Sequence, residues 1–101
     1  MDKMNKIFIS CEEGLGEACR ANIAKTKDWQ VCDSVYQADG MLCCGRINAE
    51  MQKSMILAKC LEVPAVYAET PEEIQMGKLD RKLQLKRETF QELGQGIDMF
   101  D

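Results

Sequence analysis

The chain reads as a single α/β domain, a small open parallel sheet of about four strands with helices on both faces. Three observations predict this. Four short apolar runs, rich in β-branched, aromatic or cysteine residues, recur along the sequence, each bounded by glycine, proline or polar residues. Segments of helical periodicity separate most of them, and strands separated by helices pair in parallel through crossovers. The runs are nearly continuous in apolar character, as in strands covered on both faces. With 101 residues, the chain has room for one such domain and one modest core.

The first strand is Lys6-Ile7-Phe8-Ile9-Ser10-Cys11, ended by Gly14 and Gly16. From Leu15 to about Lys27 the apolar residues Leu15, Ala18, Cys19 and Ile23 fall at helical spacing. Trp29-Gln30-Val31-Cys32 is the second strand, and Asp33 and Ser34 are N-cap residues for a very short helix through Val35, Tyr36 and Ala38. Gly40-Met41-Leu42-Cys43-Cys44 is the third strand, closed by Gly45. Asn48 caps the next helix, Glu50 suits its first turn, and Ile47, Met51, Met55, Ala58 and Leu61 form its apolar stripe. Pro64 stops that helix before the fourth strand, Ala65-Val66-Tyr67-Ala68. Thr70-Pro71-Glu72-Glu73 combines a cap residue, a proline in the first turn and a glutamate three residues after the cap. The last helix is expected to run from there to about Leu93, before Gly94 and Gly96. Residues 1–93 therefore form the domain and 94–101 a C-terminal tail. The class is doubly wound, Rossmann-like or flavodoxin-like, with the strand order left open.

Charge and composition narrow the partners. A net charge of −4 without Lys/Arg clusters is a poor match for a nucleic-acid backbone, so no direct nucleic-acid contact is expected. No apolar run approaches the roughly 20 residues of a membrane helix. The polar start Met1–Lys6 does not resemble a signal peptide, so a cytoplasmic location is expected. The six cysteines, Cys11, Cys19, Cys32, Cys43, Cys44 and Cys60, include no C-x-x-C pair and accompany no histidine. They are read as reduced thiols, with Cys32, Cys43, Cys44 and Cys60 buried as small hydrophobes. No metal and no cofactor is expected.

In open parallel sheets ligands bind at the carboxyl ends of the strands. That rule selects the loop Ser10-Cys11-Glu12-Glu13-Gly14-Leu15-Gly16, then Asp33 and Ser34, then Gly45 to Glu50, and finally Glu69 and Thr70. Glycines between a strand and a helix can expose amides to an anion, although Glu12 and Glu13 oppose one there and Cys19 stands where a full G-x-G-x-x-G pattern needs its third glycine. Arg46 is the lone cation of these loops.

Resemblances to known families add to this reading. Ala38-Asp39-Gly40-Met41-Leu42-Cys43-Cys44, the glycine turn, Asn48-Ala49-Glu50, and Ala58-Lys59-Cys60-Leu61 leading to Pro64-Ala65-Val66 resemble the second half of nucleoside 2-deoxyribosyltransferases and their small phage-associated relatives. Lys6-Ile7-Phe8-Ile9-Ser10 resembles their first strand, so the likeness covers about residues 6–68. It implies a nucleoside or nucleotide ligand, a homo-oligomer, here taken as a homodimer, and attack of a carboxylate on a sugar carbon with a second acid or base assisting. The family's nucleophile lies ten residues before the proline, where this chain has Ser54, and its preceding aspartate aligns with Asn48. Glu50, one turn before Ser54, and Asp39 are the candidate catalytic carboxylates, and a degenerate, non-catalytic binding module is the alternative. Ser10, Cys11, Gly14, Gly16, Asp33, Arg46, Asn48 and Ser54 are the candidate ligand contacts. Separately, Ile9-Ser10-Cys11 through Gly14 resembles the start of phosphotransferase-system B subunits, which implies a phosphocysteine at Cys11.

Towards the C-terminus, Met76, Leu79, Leu83, Lys86, Phe90 and Leu93 step in threes and fours, a seam that could pair a second copy. Ile97-Asp98-Met99-Phe100 resembles the end of peptides that bacterial replication proteins insert into the sliding clamp, which implies a protein partner for the tail.

Overall fold

A computed structural model describes the backbone of residues 4–98 and the side chains of residues 4–88. Its elements are β1 (Asn5–Cys11), α1 (Gly16–Ala24), β2 (Trp29–Cys32), a 3₁₀ turn (Val35–Gln37), β3 (Gly40–Cys44), α2 (Ala49–Cys60), β4 (Ala65–Ala68), a second 3₁₀ turn (Pro71–Glu73) and α3 (Met76–Asp98). The four strands form one sheet in the order β2-β1-β3-β4, and every pairing is parallel. The expected class, an open doubly wound α/β sheet, is the class observed.

Alternation along each strand sorts the core into two layers. Ile7, Leu42 and Cys44 face α1 and α3, where they meet Cys19, Ile23, Trp29, Leu79 and Leu83. Met41 and Cys43 face the opposite side, against Val35, Met51, Ala58 and Val63. Helix α1 thus covers one face as the chain steps from β1 to β2, and α2 covers the other as it steps from β3 to β4. Opposite steps on opposite faces give crossovers of one hand.

Two close contacts fix the layers. Gly40 begins β3 under α3, and a Cβ there would lie 2.9 Å from Leu79 Cδ2. Trp29, 2% exposed, donates from its indole nitrogen to Asp80 Oδ1 at 2.7 Å, which ties β2 to α3.

Several boundaries differ from the expectation. Helix α1 stops at Ala24 rather than near Lys27. Thr70 makes no side-chain cap hydrogen bond, and Pro71–Glu73 is a separate 3₁₀ turn. Ile74 then turns extended at φ −62°, ψ 126°, and packs against the core before α3 starts at Met76. Burying that β-branched side chain outweighs the local start signal. The helix also runs through Gly94 and Gly96 to Asp98, past its expected end near Leu93. A glycine inside a helix costs about 1 kcal/mol relative to alanine, which weakens a helix without ending it. The last residues of the expected clamp-binding tail, Met99 to Asp101, lie outside the described residues, as do the side chains of Phe90 and Leu93 in the expected dimer seam. Cys60, read as buried, is exposed, and Cys32 is only half-buried.

Candidate functional site

The order β2-β1-β3-β4 reverses direction between β1 and β3, and their carboxyl ends mark the crevice where such sheets bind ligands. Here that crevice is closed by the protein itself. The Glu12 amide donates to the Cys44 carbonyl at 2.9 Å, and the Arg46 amide donates to Glu12 Oε1 at 3.1 Å. The Gly45 amide donates to the Ala68 carbonyl, and the Tyr67 hydroxyl donates to the Gly45 carbonyl at 2.7 Å. Gly45 has φ +90°, and a Cβ on it would stand 2.6 Å from Glu12 Cβ. The Glu12 carboxylate therefore takes up a backbone amide beside the switch point that an anionic ligand could otherwise use.

The open space lies one strand over. β2 ends at Cys32, opposite Phe8, whereas β1 continues to Cys11. The last three residues of β1 consequently have no strand partner on that side. A cavity of about 230 Å³ occupies the gap, lined by Phe8, Ile9, Val31 and Cys32 with Cys11, Gly16, Arg20 and Asp33. Phe8, Ile9 and Val31 supply apolar wall, and Arg20 and Asp33 are exposed at its rim. Gly16 brings in the first turn of α1, whose N-cap, Leu15, makes no side-chain cap hydrogen bond to its amides. Those amides and the Arg20 guanidinium share the positive end of the helix dipole and one cationic side chain.

Of the candidate residues, Cys11, Gly16 and Asp33 line this cavity. Ser10 is half-buried on the opposite face of β1, in register with Cys43, and Gly14 is an exposed turn residue at φ +93°. Arg46, Asn48, Glu50 and Ser54 belong to the β3–α2 region and are outside the lining. Asn48 is occupied as a cap, its Oδ1 accepting the Met51 amide at 2.8 Å, and Glu50 is exposed in the first turn of α2. Asp39 is at the other end of the sheet. It precedes β3, its Oδ2 accepts the Lys6 amide at 2.8 Å, and its own amide donates to the Lys6 carbonyl. A residue before a strand and a residue after it are separated by the length of that strand, so Asp39 and Glu50 do not form a pair.

Sequence reasoning missed Arg20. The signal for Arg20 was its spacing: four residues after Gly16, it lies on the same face of α1 as the helix start.

No family model matches the chain, and neither a curated protein nor a solved structure matches it.

Two further hollows are present, the first of them at the carboxyl end of β4. One of about 450 Å³ beside β4 is rimmed by Glu69 and Glu73 against Lys78. Another, of about 370 Å³, is lined by Asn5, Asp80 and Arg87 at the amino end of β1. Among the described residues no helix is long and apolar enough to cross a membrane.

The buried thiols carry a pH signature. Burial pushes Cys19 from 9.0 up to about 12, with the neighbouring Cys44 and Cys11 adding to the rise, and burial pushes Cys43 up to about 11. Cys44 is raised from its ordinary value for the same reason. Groups whose folded values are raised stabilise the fold fully below the unfolded value, here near pH 9. Their contribution is lost as pH climbs through about 11 to 12, because the unfolded chain has already released its protons. Melting temperatures should therefore hold steady up to about pH 8.5 and decline between about pH 9 and 12. Cys19→Ala should flatten part of that decline, and an identical pH profile in parent and variant would contradict the assignment.

Proposed function

We propose that the chain binds a nucleoside or nucleotide in the β1–β2 cavity and does not catalyse glycosidic transfer. The observation that carries this is the cavity itself, an apolar slot at the strand ends beside an uncapped helix N-terminus and Arg20. Its roughly 230 Å³ falls below the range of about 300–1,000 Å³ usual for drug-sized ligands. The slot suits a nucleobase or sugar ring, with a phosphate outside it against the α1 amides and Arg20. The separation of Asp39 from Glu50 supports binding over catalysis, as does serine at position 54. Homodimer formation through α3 and a protein partner for the chain's end belong to the same proposal, as does a cytoplasmic setting.

A thermal-shift series with nucleosides, nucleoside 5′-monophosphates and free bases tests it. A monophosphate at ten times its Kd stabilises by about 1.4 kcal/mol, or roughly 5–10 °C for a domain of this size. Arg20→Ala should weaken monophosphate binding roughly tenfold to a hundredfold, the worth of a charged hydrogen bond. Glu50→Ala should leave it unchanged. Silence across all three ligand classes would sink the reading.

A second reading, a phosphocysteine carrier, is favoured by one observation. Cys11 ends β1 beside the α1 N-terminus and opens onto the cavity that Arg20 lines. It predicts an alkylation-blocking phosphoryl adduct on Cys11 and loss of that adduct in Cys11→Ser.

A further inference from the structure

β4 is an edge strand, paired with β3 on one side only. The Met41 amide donates to the Pro64 carbonyl and the Gly45 amide to the Ala68 carbonyl, so the even-numbered residues of this stretch serve the ladder. In a parallel ladder the residues between them turn their amides and carbonyls the other way. Ala65 and Tyr67 therefore present theirs to the free edge. The Lys82 ammonium closes part of that edge by donating to the Ala65 carbonyl at 2.7 Å, as lysines often do on edge strands. Among the described residues the Tyr67 amide and carbonyl take no partner on that side. What stays open is the backbone pair of a single residue.

The cavity of about 450 Å³ lies against that residue, and its size is within the roughly 300–1,000 Å³ of small-molecule sites. Leu42 and Val66, in register on neighbouring strands, and Ala68 give it an apolar floor. Val66 is only half-buried although Leu42 is 0% exposed, so the floor opens at the edge. Charge is sorted along the rim. Lys82 sits at Ala65, before Tyr67. Lys78, one turn earlier on the same face of α3, lines the cavity. Glu69 and Glu73 line it too, and both follow the end of the strand.

We propose that this cavity binds a free α-amino acid with an apolar side chain. The ligand pairs with Tyr67 as one residue of an added strand. Its carboxylate accepts the Tyr67 amide and lies against Lys78. Its ammonium donates to the Tyr67 carbonyl and faces Glu69 and Glu73, and its side chain covers Val66 and Leu42. Two residues directly opposite in a hydrogen-bonded pair exchange both bonds in this way, and an open sheet edge takes up extended chains through the same groups. The surroundings decide against other occupants. Two carboxylates against one ammonium on the lining oppose a phosphate. The Lys82 contact at Ala65 interrupts the edge after one residue, so a peptide strand cannot continue the pairing. The cavity shares no lining residue with the one between β1 and β2, so the two sites bind independently.

Isothermal titration calorimetry of the full chain with L-leucine is the test. Three analogues run beside it: N-acetyl-L-leucine without the ammonium, L-leucinamide without the carboxylate, and glycine without the side chain. L-Leucine should bind saturably, and each analogue about tenfold or more weakly, the worth of a charged hydrogen bond or a buried aliphatic side chain. Lys78→Ala should weaken L-leucine about tenfold, and Arg20→Ala should leave it unchanged; both residues are exposed, so both variants should fold. Amide shifts of the nitrogen-15-labelled chain with L-leucine should centre on Tyr67, Glu69 and Lys78. The proposal is overturned by no saturable binding of L-leucine, by an analogue or the Lys78→Ala variant binding as tightly as the parent pair, or by shifts centred on Gly16 and Asp33. Tighter binding of the dipeptide leucyl-leucine than of L-leucine would also overturn it and assign the edge to a peptide.

Discussion

Gly45→Ala should cost about 3–4 kcal/mol of stability. A residue other than glycine at positive φ costs roughly 1–2 kcal/mol, and Gly45 sits at +90°. The new methyl group would also stand 2.6 Å from Glu12 Cβ and 2.8 Å from Leu15 Cδ1, and forced overpacking adds about 1–3 kcal/mol. The loop cannot easily retreat, because the Gly45 amide, its carbonyl and the Glu12 amide are all tied to neighbouring strands. Urea unfolding reads the cost as a lower midpoint at constant slope. Glu12→Gly in the same chain should return the part of the clash due to Glu12 Cβ and leave the parts due to Leu15 and to φ, so the two substitutions are non-additive. A loss under about 1 kcal/mol for Gly45→Ala would show that the β1 and β3 loops are not closed against each other as described.

Leu79→Ala should cost about 3 kcal/mol, or roughly 12–24 °C in melting temperature at the usual scaling for a domain of this size. Leu79 is 0% exposed, rests on Gly40 and joins α3 to the Ile7–Leu42 layer. Its loss opens a hole that Gly40 has no side chain to fill. Ile56→Ala, at a site 65% exposed on α2, serves as the control and should change stability by no more than about 0.5 kcal/mol. Equal, small effects at the two sites would mean that α3 does not belong to the core.

The strands were legible because they are short apolar runs with sharp ends. Trp29–Cys32, Gly40–Cys44 and Ala65–Ala68 are each found where their bounding residues put them. Caps with a side-chain acceptor were legible for the same local reason: Ser34 accepts the Tyr36 amide and Asn48 accepts the Met51 amide. Thr70 carried the same signal and failed, because the burial of Ile74 is a long-range term that local spacing does not contain. Strand order is long-range too, and no pattern within a strand encodes its neighbours. The burial of Cys43 and Cys44 followed from the doubly covered third strand, whereas Cys60 closes α2 at the surface.

The candidate cavity was legible in the loops after β1 and β2, and the loop after β3 is outside its lining. Cys11, Gly16 and Asp33 reach the cavity because they follow strands, as the strand-end rule requires. Asp39 was paired with Glu50 through the family resemblance, although a residue preceding a parallel strand belongs to the opposite end of the sheet. The cavity came from something no motif records, the difference in length between β1 and β2.

The central claim is where the ligand sits, and an amide-shift map tests it most directly. Nitrogen-15-labelled chain would be titrated with nucleoside 5′-monophosphates and the moving amides assigned. The account predicts saturable shifts concentrated at Gly16, Glu17 and Ala18 of α1 and at Cys32 and Asp33 after β2, with residues 46–54 nearly still. Shifts centred instead on Arg46 to Ser54, or no saturable shift with any monophosphate, would contradict it.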